Sequence, residues 1–218
     1  MSTSFYVTAA IVAAVALAFR WRGMKLLRAV VHPLVSRGRL SFFDAYPVGP
    51  DDIVLFGDSI TAGGQWDEIA PGTRIRNRGI GGDRSDDLLK RLDPITKGCP
   101  RKLLIAIGTN DLSSGMSENA IVTNLESILD RVRGESPETQ VHLHELFPRK
   151  AAFQKRILSL NAEIARLAEE RGLPLVRVFS RFADDKGAIR SELSYDNLHL
   201  SGLGYQEWQS ALAEHLRE

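Results

Sequence analysis

Along the chain, short apolar and β-branched runs alternate with longer stretches in which apolar residues recur every three or four positions. The short runs are Ile53–Phe56, Arg74–Asn77, Lys102–Ile107, Gln140–Leu146 and Leu175–Phe179, and their length and composition predict five buried strands. Residues 85–92, 118–133 and 151–171 carry helical spacing. In the last of these Ile157, Leu160, Ile164, Leu167 and Ala168 fall on one side, and Gly172-Leu173-Pro174 ends the run. A final helix is expected from Ser201, suited to the N-cap, to Leu216. Parallel neighbours need a crossover connection, so this alternation predicts a parallel sheet covered by helices on both faces. No internal repeat and no low-complexity tract interrupts it.

The amino-terminal part breaks the pattern. Phe5 to Phe19 is almost wholly apolar, and the whole uncharged stretch from Met1 to Phe19 would as a helix be about 28 Å long and span a bilayer. The expectation is a membrane anchor over residues 1–22, with a cleavable signal peptide as the rival because Ala16-Leu17-Ala18 resembles a cleavage site. The positive charges follow the apolar run, which places the body on the cytoplasmic side, with a periplasmic or secreted body as the alternative. Residues 23–50 are expected to be a basic connector. Its Met24 to Val31 stretch is read either as lying along an anionic lipid surface or as packing on the domain, Pro33 as interrupting that stretch, and Arg37 to Pro47 as linker. The folded domain is expected over 51–218.

Composition narrows the function. With 44% hydrophobic and 25% charged residues the chain of 218 residues suits one well-packed domain and excludes a disordered one. The single Cys99 gives no disulfide framework, and no Cys/His grouping has zinc-site spacing, so neither metal nor cofactor is expected. The net charge of +1 hides an asymmetry, because residues 1–43 hold six Lys/Arg and no acid, leaving an acidic body. Such a body offers no electrostatic basis for nucleic-acid binding.

In an open parallel sheet, ligands bind beyond the carboxyl ends of the strands where the strand order reverses. Gly57-Asp58-Ser59 follows the first predicted strand, Gly79-Ile80-Gly81-Gly82-Asp83 the second, and Gly108-Thr109-Asn110-Asp111 the third, while Asp196-Asn197-Leu198-His199 precedes the last helix. A serine hydroxyl needs a base in reach and a third group to orient that base. Ser59 is therefore the candidate nucleophile, His199 the base and Asp196 its orienting carboxylate, in the chain order Ser, Asp, His. Gly82 can bring a backbone N–H close to a developing oxyanion, Asn110 can offer a side-chain N–H, and the Ser59 N–H completes the set.

At these residues the chain resembles the SGNH (GDSL-type) hydrolases. FGDSI at 56–60, NRGIGGD at 77–83, IGTND at 107–111 and YDNLHLSGLGY at 195–205 are similar to four of that family's sequence blocks, in order. The GIGGD and YDNLHLSGLGY forms are similar to the platelet-activating-factor acetylhydrolase branch, whereas GTND is the form of bacterial thioesterase and lysophospholipase members. Ile60 stands where GDSL has leucine. The resemblance implies a three-layer α/β/α flavodoxin-like fold with a five-stranded parallel sheet, here preceded by the hydrophobic helix. It also implies Ser59, Asp196 and His199 as catalytic groups, and Ser59, Gly82 and Asn110 as oxyanion hole. The expected function is a serine esterase acting on small-molecule or lipid-derived esters, lysophospholipids included. Carbohydrate or peptidoglycan deacetylation is the enzyme alternative, and a silent membrane-tethered binding module the non-enzyme one.

Other residues carry weaker expectations. Asp58 and Asp83 are read as bonding local backbone N–H groups, and Arg84 as touching a head group or pairing with Asp83 or Asp86. His142 and His144 share one face of a strand without further ligands for a metal. Trp66 and Phe147 line an acyl pocket or fill core, and Pro148-Arg149-Lys150 could form a lip over the site.

Overall fold

The computed structural model describes residues 31–217 of the chain. Its sheet has five parallel strands in the order β2-β1-β3-β4-β5: β1 (Ile53–Gly57), β2 (Ile75–Gly79), β3 (Lys102–Ala106), β4 (Gln140–His144) and β5 (Leu175–Val176). The order reverses between β1 and β3, which is the order of a flavodoxin-like sheet. Side chains of a strand point alternately to opposite faces, and the two cores follow that period. Val54, Phe56, Leu103, Ile105, Val141 and Leu143 pack one way, against α4 (Ser85–Lys90), α5 (Asp93–Gly98), α7 (Glu118–Glu135) and α8 (Gln154–Arg171). Ile53, Leu55 and Leu104 pack the other way, against Trp66 of α3 (Trp66–Ile69), Phe182 of α9 (Phe179–Phe182), and Trp208 and Leu212 of α10 (Gly202–Leu216).

Strands β3, β4 and β5 end earlier than their apolar runs, β3 by a single residue. The Glu145 carboxylate accepts hydrogen bonds from the backbone N–H of Val178 at 2.9 Å and of Phe179 at 3.0 Å. A side chain thus replaces the ladder there, β5 pairs only as far as Val176, and α9 starts at Phe179. Ser201 caps α10 as expected, its hydroxyl accepting from Gly204 N at 3.2 Å.

The amino-terminal expectations need correction. Residues 31–45 form a helix, here α1, that includes Pro33 and much of the predicted linker. Docking holds it: Phe43 is buried between the guanidinium groups of Arg39 and Arg78, 4.9 and 4.6 Å from its ring centre. Among the described residues no helix is long and apolar enough to cross a membrane. The membrane-anchored localisation read from the sequence is withdrawn on that finding; the predicted anchor at 1–22 and the 24–30 stretch lie outside the described residues.

His142 and His144 do share a face, and it is turned to α10. His142 Nδ1 meets His215 Nδ1 at 2.9 Å, and Trp208 Nε1 donates to His144 Nε2 at 2.8 Å. His144 Nδ1 donates to the Glu145 carbonyl, so this imidazole is held in one neutral tautomer. Protonation would set two N–H groups face to face, and burial pushes His144 down to about 4. Its folded-state pKa is depressed, so its contribution to stability is complete above about 6.5 and is lost as pH falls through about 4. Unfolding by urea should show an acid-side loss on the order of 3 kcal/mol from this site. His144→Gln should flatten that limb, and a wild-type profile level from pH 7 to about 4.5 would contradict the assignment.

Candidate active site

The strand register puts Gly57, Gly79 and Ala106 side by side, so the loops after β1, β2 and β3 leave the sheet at one level. The first turn is tight enough to demand glycine, since a Cβ on Gly57 would stand 2.4 Å from Ala106 O. Ser59 opens α2 (Ser59–Ala62), with Asp58 as N-cap accepting from Ile60 N at 2.9 Å. The second loop runs past this serine, placing a Cβ built on Gly81 3.9 Å from Ser59 Cβ. Gly82 follows with φ +82°, a left-handed conformation that favours glycine.

His199 arrives from the other side of the sheet on the segment before α10. Its Nε2 lies 2.9 Å from Ser59 Oγ, and its Nδ1 2.7 Å from Asp196 Oδ2. A carboxylate only accepts, so Nδ1 carries the proton and Nε2 is free to accept from the serine hydroxyl. The turn is closed by Asp196 Oδ1, which takes the amides of Leu198 at 3.0 Å and His199 at 2.7 Å, with Asn197 left-handed at φ +65°. Burial pushes the Asp196 carboxyl up, but the bonds from the ring and amide of His199 outweigh it and hold it below its ordinary value. The ring of Tyr195 stacks on His199 at 5.9 Å.

Asn110 is brought to the same rim on α6 (Thr109–Ser114), yet its amide is already engaged. Nδ2 donates to Asp83 O at 2.9 Å and, at a longer 3.4 Å, to Asp58 Oδ2. Donation to an oxyanion would therefore replace the longer bond. Asp58 itself is buried, and burial pushes its carboxyl up to about 7; the Ile60 amide opposes this, the neighbouring Asp111 adds to it, His199 opposes it and Asp83 adds. Asp111, also buried, takes Ser85 N at 2.9 Å and Ser85 Oγ at 2.6 Å, tying the third loop to the start of α4.

A small, partly open cleft lies next to the turn that carries Ser59, lined among others by Asp58, Ile60, Ile107, Phe147, Arg149 and Trp208. Phe147 packs edge-on against Trp208 with centroids 5.1 Å apart, and both line it. Of the Pro148-Arg149-Lys150 segment, Arg149 lines the cleft, its Nη1 donating to Ser113 Oγ at 2.6 Å and its guanidinium lying 4.1 Å from the Phe153 ring centre. Trp66 is core: it is buried, and its Nε1 donates to Thr61 O at 3.0 Å.

The sequence reading of Asp83 missed its partners. The carboxylate takes Arg91 Nε at 2.7 Å and His32 Nε2 at 2.7 Å, while Arg84 pairs with Asp86 at 3.0 Å. A buried carboxylate signals that cations or donors surround it, but nothing in the local sequence points to residues 8 positions on and 51 positions back. His32, Asp83 and Asp87 each bring a ligand atom within 4.8 Å of the others, the arrangement among the described residues that could hold a cation. Arg91 already occupies Asp83 from the far side and would repel one.

Residues 55–207 match the GDSL-like lipase/acylhydrolase family model. Among curated proteins the chain is similar to platelet-activating factor acetylhydrolase IB subunit alpha2 of Rattus norvegicus, 26% identical over 165 residues that cover 71% of each chain. It is also similar to the alpha1 subunit of Homo sapiens, 27% identical over 71% of this chain and 70% of that one. A Streptococcus pneumonia structure whose description names platelet activating factor superposes with TM-score 0.78 at 27% identity, covering 93% of this chain and 99% of the other. The lipase/acylhydrolase of Enterococcus faecalis gives TM-score 0.65 at 25% identity over 76% and 94%.

Proposed function

This chain belongs to the GDSL-like lipase/acylhydrolase family, and from that premise we propose that it is a serine hydrolase of carboxylic esters with short acyl groups. One observation carries the reading: the unbroken relay from Asp196 Oδ2 through His199 to Ser59 Oγ, at 2.7 and 2.9 Å, in the tautomer a general base requires. Ser59 Oγ attacks the ester carbonyl carbon as His199 Nε2 takes its proton. The charge that forms on the carbonyl oxygen is met by the N–H groups of Ser59 and Gly82 and the side chain of Asn110. The imidazolium then gives its proton to the departing alcohol oxygen, and a water activated by the same imidazole releases the acid from Ser59. Residues 51–218 hold every group in this sequence of steps.

The short-acyl preference rests on the cleft and on the acetylhydrolase relatives. Phe147, Trp208 and His144 are bulky rings in the lining of the small cleft beside the Ser59 turn, which supports room for a short acyl chain only. Acetyl and propionyl p-nitrophenyl esters should turn over best, with kcat/KM for the octanoyl ester lower by about tenfold or more. A panel graded by acyl length, with thioesters and acetylated sugars included, measures this. Rising kcat/KM up to the octanoyl ester would overturn the short-acyl assignment, and faster release from acetylated sugars than from simple esters would favour a deacetylase.

A further inference from the structure

The loop that carries Gly82 is shaped by what grips it from two sides. Toward the nucleophile, Asn110 Nδ2 holds Asp83 O at 2.9 Å. From behind, the grip comes from α1. Arg39 Nε donates to Gly79 O at 3.1 Å, and its Nη2 to Asn77 O and Oδ1, both at 3.3 Å. Two helical turns earlier, His32 Nε2 meets Asp83 Oδ1 at 2.7 Å. His32, Ser36, Arg39 and Phe43 are spaced four, three and four apart, which lines them along one face of the helix. The helix therefore holds the chain at Gly79, the last residue of β2, and again at Asp83, and Gly82 lies between the two grips. Asp83 has little freedom to answer any other partner, because its side chain is 2% exposed and its second carboxylate oxygen is fixed by Arg91.

We propose that α1 braces the active site and that His32 is a positioning residue for the ester hydrolysis proposed above, on which this inference rests. Through Asp83 it sets the direction of the adjoining Gly82 N–H toward the oxyanion. Such a donor matters most when the carbonyl oxygen becomes charged, so a misdirected N–H lowers kcat and leaves ester binding nearly intact. Without the imidazole, Asp83 Oδ1 loses a buried partner, the loop is gripped less firmly just after Gly82, and the Gly81–Gly82 peptide that carries the Gly82 N–H gains freedom to turn.

The test compares His32→Ala with His32→Gln, whose amide N–H can reach the same oxygen. For p-nitrophenyl acetate, H32A should lower kcat about tenfold to a hundredfold. KM should stay within about twofold, and H32Q should restore most of the rate. Hydrogen exchange read by mass spectrometry should quicken at residues 79–85 in H32A, with α8 unchanged and H32Q close to wild type. Wild-type kcat in H32A, or a loss that H32Q leaves unrepaired while exchange at 79–85 is unaltered, overturns the proposal. Turnover of wild type that EDTA abolishes would also overturn it, by assigning His32 and Asp83 to a metal ion. A wild-type protein that hydrolyses no ester would fail the esterase reading instead. Exchange at 79–85 would then still decide the brace, unchanged exchange in H32A removing it.

Discussion

Ser59→Ala should lower kcat by about five to six powers of ten while leaving the fold and its melting temperature in place. The expectation of an intact fold comes from the surroundings of the hydroxyl. Its one hydrogen-bond partner among the described residues is His199 Nε2 at 2.9 Å, and the backbone of Ser59 is held independently by the Asp58 cap and the first turn of α2. Alanine is a good residue at that helical position, so removing the oxygen leaves neither a buried orphan nor a broken cap. The His199–Asp196 pair is partly open to water, with side chains 30% and 40% exposed, and such pairs contribute little to stability. The chemistry of the site is thus separable from its folding. A fluorophosphonate probe should label wild type at Ser59 and fail to label S59A. Properly folded wild type that resists the probe would point to a binding protein, and S59A retaining more than about one per cent of turnover would place the nucleophile elsewhere.

Asn110→Ala should lower kcat about a hundredfold to a thousandfold with a modest change in KM. Two losses combine. A neutral donor to the oxyanion disappears, and so does the 2.9 Å bond that fixes Asp83 O and with it the loop of Gly82. The second loss also destabilises the fold, by about 1 kcal/mol. Asn110→Asp separates chemistry from shape, because the carboxylate fills the same space yet repels both the oxyanion and Asp58. Its turnover should be no better than that of the alanine variant. Near-normal kcat in N110A, with ester hydrolysis otherwise intact, would remove Asn110 from the mechanism.

Much of this was legible in the chain because it rests on short-range rules. Buried parallel strands must be almost continuously apolar, so β1 and β3 stand out as Ile53–Gly57 and Lys102–Ala106 within a residue of their apolar runs. Serine, asparagine and an Asp-x-x-His pair at successive strand ends have few joint uses, and the geometry brings Ser59, Asn110, Asp196 and His199 to one rim. What escaped depends on partners far apart in sequence. Nothing near Glu145 indicates that it will cap Val178 and Phe179 and shorten β5, and nothing near His32 indicates Asp83. The helical residues 37–45 read as linker because only Phe43 of them is deeply buried, too few apolar contacts for a periodic signal. The engagement of both amide hydrogens of Asn110 is likewise a matter of rotamer and neighbour, which residue type does not encode.

The position of α1 bears on how this hydrolase can be joined to other proteins. A designer who trims to the start of β1 keeps every group that would touch an ester, and an engineered chimera joined there would look complete by any motif search. It would also discard the rod that grips the loop at Gly79 and Asp83. The sound splice point lies upstream of residue 31, and a fusion partner attached there leaves the rod seated.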